Sequence, residues 1–273
     1  MFYTQFIFMK GIIGAICGDI IGSPYEFHSI KTKEFDLFNN RSQFTDDTVM
    51  TLAIAKWLCE DKDSKEVLIK NLKLFGSYYP NAGYGGRFIH WIFDESSKPY
   101  GSWGNGSAMR VSPCVWAADS FEEAQKLAKL SSVVTHDHPE GIKGALATSD
   151  AIYLARAGSS KDEIKSHVEK EYGYNLSISL DEIRPTYDFD VSCQGSVPES
   201  IICFLEAKDF EDTIRNAVSL GGDADTQAAI AGSIVSAYWD VPRNIVDKSI
   251  MLLDDFLLDI FIEFEDKFML ANI

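Results

Sequence analysis

Two stretches of the chain set carboxylates and a threonine just ahead of a helical pattern. Residues 219–239 read SLGGDADTQAAIAGSIVSAYW, with Asp223, Asp225 and Thr226 before a run of small apolar residues. Ala228, Ala229, Ile230, Ala231, Gly232, Ile234, Val235 and Ala237 give that run the composition of a buried helix. Residues 44–60, FTDDTVMTLAIAKWLCE, repeat the arrangement. Thr45, Asp46 and Asp47 precede an apolar face of Val49, Met50, Leu52, Ala53, Trp57 and Leu58. Taken singly, each stretch reads as a capped core helix. Asp223 would be the N-cap and Asp225 would sit in the first turn, where the helix dipole favours negative charge. Gly221 and Gly222 would allow close backbone approach or a positive φ. Taken together they predict more. If the two helix starts meet, their carboxylates repel unless a cation lies between them, and oxygen ligands suit hard divalent ions. The chemistry this points to is a Mg²⁺ or Mn²⁺ site, with room in the ligand set for two metals.

The elements that must position these residues read as helices throughout. Residues 11–23 carry Gly11, Gly14, Ala15, Gly18 and Gly22 at helical spacing, which suits a helix packed tightly on a neighbour and ended by Pro24. Asp19 in that apolar segment needs a partner, a backbone amine or a metal-bound water. Residues 28–43 have no clear period and read as a loop closing over something. Helices are expected over Asp63–Tyr79 with Leu68, Leu72 and Phe75 buried, over Glu122–Leu130, and over Pro139–Ala157 with Ile142, Ala145, Leu146 and Ile152 buried. Further helices are expected over Ser196–Glu206 and Phe210–Leu220, and Asp162–Tyr172 has the charge pattern of a solvated face. Alternating strand patterns are scarce and no linker divides the chain, so the expectation is one all-α domain over residues 1–273.

Two glycine-rich loops stand between these helices. PNAGYGGR at 80–87 lacks the Lys-Ser/Thr of a phosphate-binding loop and is a weak signal. YGSWGNGSAMRVSP at 100–113 runs into a helix near Ala108; its backbone amines, with Arg110, could hold a pyrophosphate, or it could be a tight turn. His136 and His138 form a His-x-His pair without a second ligand pair at zinc spacing.

The chain has 273 residues and a formal net charge of −16 at pH 7, which argues against a nucleic-acid groove. Cys17, Cys59, Cys114, Cys193 and Cys203 are scattered without a C-x-x-C pair and read as buried thiols of a reducing, cytoplasmic protein. No apolar run is long enough for a bilayer. The start resembles a signal peptide, but Lys10 and Asp19 interrupt it and no cleavage site follows. The pattern begins at Lys10, so Met9 is a second candidate start and residues 1–9 an added segment.

FTDDT at 44–48, GSWGNGSAMR at 101–110, the Thr135-His136 pair and SLGGDADTQAAIAG at 219–232, in this order, resemble the ADP-ribosylglycohydrolase family. The similarity runs from about Gly11 to Pro242. It implies a compact all-α fold with two Mg²⁺ or Mn²⁺ ions at the base of a cleft. Thr45, Asp46 and Asp47 would supply one set of ligands, and Asp223, Asp225 and Thr226 the other. Glu26, in GDIIGSPYEF, matches the family's glutamate beside the metals. Gly101, Ser102, Trp103, Gly104 and Asn105 would line the diphosphate and distal ribose of ADP-ribose, with His136 in the same region. The implied activity is hydrolysis of an ADP-ribosylated protein or ADP-ribose conjugate, with Glu26 or Asp47 as catalytic carboxylate moving the proton. The sequence does not fix the oligomeric state, and a monomer is the expectation. Arginine-specific members carry an acidic residue where this chain reads NAGYGGRF, which puts arginine linkage in doubt and leaves serine, acetyl or other linkages open. Residues 160–192 match no family motif and are expected to shape the acceptor side. The alternatives are an inactive ADP-ribose-binding or structural relative, and an HD-type phosphohydrolase using His136-Asp137.

Overall fold

The computed structural model describes residues 9–270, and among these the only extended pairing is an isolated bridge between Gly104 and Ser192. The all-α expectation is met. Of the added segment expected at the N-terminus, residues 1–8 lie outside the described residues.

Helix α1 (Ile13–Gly22) passes into a 3-10 turn at Ser23–Tyr25 that holds Pro24. After a loop come α2 (Asp46–Asp61) and α3 (Lys65–Tyr78), then the short α4 (Gly86–Phe93), α5 (Gly106–Met109) and α6 (Ser112–Trp116). The longer α7 (Phe121–Val133) and α8 (Pro139–Arg156) pack on each other and lead to α9 (Lys161–Tyr172) and α10 (Leu180–Ile183). The chain continues through α11 (Cys193–Glu206), α12 (Phe210–Leu220), α13 (Ala224–Tyr238), α14 (Arg243–Ile250) and α15 (Asp255–Phe268).

Helix α13 is the axis. It is buried from Ala224 through Ala237, with small apolar residues for most of its length, and packs against α1, α8, α11 and α12. Its contact with α1 is the most extensive in the fold, and the facing residues of α1 include glycines. A Cβ added at Gly14, Gly18 or Gly22 would stand 2.3 Å from the Gly232 carbonyl oxygen, 2.0 Å from that of Ala228, or 2.4 Å from that of Ala224. One seam of glycines therefore brings the C-terminal end of α1, with Asp19 and Glu26, alongside the N-terminal end of α13, with Asp223 and Asp225.

Asp19 then fixes α2. Its carboxylate accepts the backbone N–H of Thr45 at 2.9 Å and of Thr48 at 3.0 Å, and the Thr45 hydroxyl at 2.7 Å. These are orphan donors at the start of α2, satisfied by a side chain from another helix. Of the partners open to Asp19 in the sequence, backbone amines are the ones found.

Three expectations need correction. Loop 28–43 does not close over the cleft described below. It is lashed to α12 and to the segment before α11: Lys31 Nζ donates to the carbonyls of Leu220 and Tyr187, Lys33 pairs with Asp212, and Arg215 donates to the carbonyls of Lys33 and Phe35. In α8, Ile142 and Leu146 are only half-buried. The inward stripe is made of smaller residues, Gly141, Gly144, Ala145, Ala147 and Ala151, because a Cβ at Gly144 would lie 2.4 Å from Cys193 Sγ. The sequence reading also lacks α4, α6, α10, α14 and α15. Helices α4 and α14 begin without a side-chain cap, and α6 has only Pro113 in its first turn, so their start signals are weak or missing.

The cysteines are all free, and every one except the half-buried Cys59 is buried. No helix among the described residues is long and apolar enough to cross a membrane.

Candidate metal centre and cleft

The two Asp-rich helix starts do meet. Ligand atoms of Asp19, Asp47 and Asp225 lie within 4.8 Å of one another, and so do those of Glu26, Asp223 and Asp225. Asp225 belongs to both groups. Thr226 donates its hydroxyl to Asp47 Oδ2 at 3.0 Å, which ties the start of α13 to the start of α2. Thr45 turns its hydroxyl to Asp19 and sits 3.5 Å from Asp47 Oδ2. Asp46 lines the same cleft on the side of Gly83, whose added Cβ would stand 3.0 Å from Asp46 Oδ1. Asp46 belongs to neither of the tight groups.

Asp223 occupies the N-cap position of α13 but makes no capping bond. Its Oδ2 accepts the Asn105 side-chain amide at 2.7 Å instead. The carboxylate expected to cap the helix is therefore turned into the site.

Such a cluster is costly without a counter-charge. Burial first, and then the charges of Asp225 and Asp19, push the Glu26 carboxyl up to about 8. Burial pushes Asp223 up to about 6, although the Asn105 amide opposes the shift. Asp46, Asp47 and Asp225 stand well above the usual carboxylate range, again through burial first and then through neighbouring carboxylates, Asp225 acting on Asp46 and Asp47, Asp223 on Asp225, and Asp19 on all three. Asp47 Oδ1 is buried and has no hydrogen-bond partner within the protein. Buried carboxylate oxygens that crowd together, one of them unpaired, are a donor set that could hold a divalent cation.

The cluster forms the floor of a cleft of about 430 Å³, within the range of ligand sites. Gly101, with φ +65°, turns the chain into one wall but does not itself line the cleft. Ser102, Trp103, Gly104, Asn105 and His136 line the cleft. This turn is held from both sides. The N–H of Gly101 donates to Asp137 Oδ1 at 2.7 Å, and those of Tyr100 and Ser102 reach the Thr135 carbonyl at 3.4 and 3.5 Å. The Asn105 N–H donates to the Val191 carbonyl at 2.8 Å, and the Gly104 N–H to Ser102 Oγ at 3.2 Å. The expected cradle of backbone amines for a pyrophosphate is thus largely consumed by the protein itself. Arg110, expected beside it, is 1 % exposed and donates to the Ser131 carbonyl and the Thr135 hydroxyl. It lines the cleft as well, with one end of its guanidinium committed to the wall.

The adjoining rim comes from the segment without a motif, which is bridged to the turn between Gly104 and Ser192. Phe189 and Val191 line the cleft, and Phe189 stacks on Phe27 with ring centroids 6.1 Å apart. Gly222 makes room for this segment, since a Cβ there would meet Tyr187 Cε1 at 2.4 Å. Phe27 follows Glu26 directly in the chain, so the pair stands over the acidic floor. Nothing in the local sequence marks residues 187–191 as cleft residues; packing on Gly222 and the bond between Asn105 and Val191 place them there.

The histidine pair is not a metal site. His136 Nδ1 is bonded to Thr135, while His138 Nδ1 accepts the Glu140 N–H at the start of α8. Asp137 holds Gly101, so an HD-type centre has no ligands here.

The fold and site together agree with a known family, whose sequence pattern, ADP-ribosylglycohydrolase, matches residues 7–255. The chain belongs to the ADP-ribosylglycohydrolase family. Among curated relatives it is 28% identical to mouse ADP-ribosylhydrolase ARH3, covering 85% of this chain and 83% of that protein. The human ARH3 protein is also 28% identical, with 85% of each chain covered. An uncharacterized protein of Archaeoglobus fulgidus is 25% identical over 84% of this chain and 87% of its own. A solved structure titled ADP-ribosylglycohydrolase-related protein complex shares the fold, with a TM-score of 0.67 and 21% identity over 94% of this chain and 95% of that one. The two helix starts that meet, FTDDT and GGDADT, carry the family resemblance in the sequence and form the floor of the cleft in the fold.

Proposed function

We propose that this protein is a Mg²⁺- or Mn²⁺-dependent hydrolase that removes ADP-ribose from a protein side chain or small conjugate. The bond cleaved is the one at the anomeric carbon of the distal ribose. The observation that carries the reading is Asp225, shared by two groups of crowded carboxylates on the floor of a cleft in a chain of this family. Asp19, Asp47 and Asp225 would hold one cation and Asp223 and Asp225 a second, with Thr45, Asp46 and Thr226 completing the sets and Glu26 standing beside them. Divalent cations in such a site orient sugar hydroxyls and make water more acidic.

The residues of the chain do the rest. Ser102, Trp103, Gly104, Asn105 and His136 line the side of the cleft where the diphosphate and distal ribose would lie. Asn105 both lines that wall and holds Asp223, so the sugar pocket and the cation site are positioned by one side chain. Of the two carboxylates that could move the proton, Glu26 is favoured over Asp47. Asp47 Oδ2 already accepts from Thr226, whereas Glu26 is half-buried, faces the cleft and holds a proton up to about pH 8 before cations arrive. Cleavage at an anomeric carbon develops positive charge on the ribose, and a carboxyl that can give up and regain a proton serves the leaving group or the attacking water.

No carboxylate in residues 80–87 lines the cleft beside Gly83, Gly85 and Gly86, which supports an uncharged acceptor over an arginine. Glu26→Gln is expected to lower kcat for ADP-ribose release by about 10²-fold, the usual scale of general acid–base assistance, while ADP-ribose still binds. Unchanged kcat in that variant would move the proton transfer to Asp47.

A further inference from the structure

His136 is 4 % exposed and sits just past the end of α7, with its Nε2 edge toward the turn. A Cβ added at Gly106 or Gly104 would stand 3.2 or 3.7 Å from Nε2, so glycines leave that edge uncovered. The other ring nitrogen is engaged. Thr135 Oγ1 lies 2.7 Å from His136 Nδ1 and also 2.8 Å from Arg110 Nη2. A guanidinium has donors only, so the hydroxyl accepts from Arg110 and its own proton is left for Nδ1. Nδ1 is then an acceptor and the ring proton is on Nε2. The opposite tautomer would set two donors against one hydroxyl oxygen and leave the hydroxyl proton buried without an acceptor, which burial penalises.

We infer that Arg110 and Thr135 are positioning residues that fix His136 in its Nε2–H tautomer, so that the ring presents one fixed donor to an oxygen of the ligand in the cleft. Burial, with the nearby charges of Arg110 and Arg87, holds the His136 pKa well below its ordinary value, so the ring is a neutral donor. Arg110 itself is anchored by the Ser131 carbonyl at 2.8 Å, which ties the relay to α7. The identity of the ligand oxygen, in the diphosphate or ribose of ADP-ribose, rests on the function proposed above; the tautomer does not.

The test is nitrogen-15 NMR of the histidine rings in the full chain with Mg²⁺ present, with the His136 signals identified by their loss in His136→Gln. Wild type and Thr135→Ser are expected to show Nδ1 bare and Nε2 protonated. Thr135→Val is expected to lose this signature and to bind ADP-ribose about tenfold more weakly, the scale of one hydrogen bond to a charged group. A wild-type ring protonated at Nδ1, or a Thr135→Val protein with unchanged tautomer or unchanged affinity, overturns the inference. If the tautomer is as stated but wild type does not bind ADP-ribose, the functional reading fails and the relay stands.

Discussion

Asp225→Asn is expected to lower ADP-ribose release by about a thousandfold, the several kcal/mol that a positioned divalent cation contributes to such a reaction. Asp225 is the one residue common to both carboxylate groups, so its loss disturbs every proposed cation position at once. The same substitution should stabilise the protein in chelator. Asparagine keeps the shape and removes one of the charges that raise Glu26, Asp46 and Asp47. A gain of about 1–2 kcal/mol at pH 8 is expected, as for other sites where function holds like charges together. Activity measured beside a denaturant melt checks both halves. A variant that is inactive and also less stable would mean that Asp225 serves the fold more than the chemistry.

The second large effect is on stability against pH. Without divalent cations, unfolding free energy should fall as pH rises from about 4.5 to about 8, the interval between the ordinary and native values of Glu26. The sign follows from proton binding. A carboxyl whose native pKa is raised keeps its proton in the folded state after the unfolded chain has released it. Its contribution is therefore complete below the unfolded pKa and lost as pH climbs through the native one. Asp223 adds in the same direction between its ordinary 3.8 and about 6. Mg²⁺ or Mn²⁺ at a hundred times its dissociation constant at pH 8 should restore about 2.7 kcal/mol there, and the same concentration less at pH 5, where protons compete for the ligands. Thermal melts at both values, with chelator and with each cation, read this directly. Chelated protein that gains stability from pH 5 to pH 8, or a cation effect equal at both, would show that the cluster is not a cation site.

Much of this site is legible in the sequence because it is built from helix starts. A threonine and two aspartates ahead of an apolar period announce where α2 and α13 begin, and the glycine spacing of α1 announces a close neighbour. What the spacing cannot give is the partner. That α1 lies on α13 follows only from three carbonyl oxygens fitting where three Cβ atoms would be. Asp19 illustrates the limit. Its burial in an apolar helix marks it as needing a partner, yet nothing local says that the partner is the open end of α2 or that its carboxylate joins Asp47 and Asp225. Arg110 misleads in the opposite sense, because a cation after a glycine-rich turn reads as a phosphate ligand until the turn's amines are seen to be spent on Thr135, Asp137 and Val191. Residues 187–191 are invisible for a third reason. They reach the cleft through long-range packing on Gly222, which no periodicity encodes.

The central claim is cation-dependent cleavage at this carboxylate floor, and the most direct measurement is release of free ADP-ribose. The wild-type chain and Asp225→Asn would be given arginine-, serine- and acetyl-linked ADP-ribose, each with Mg²⁺, with Mn²⁺ and with chelator. The account predicts release from one of the uncharged linkages, dependent on a divalent cation and abolished in the variant. Release that persists in chelator or in Asp225→Asn, or silence on every linkage from a protein that binds ADP-ribose, would contradict it.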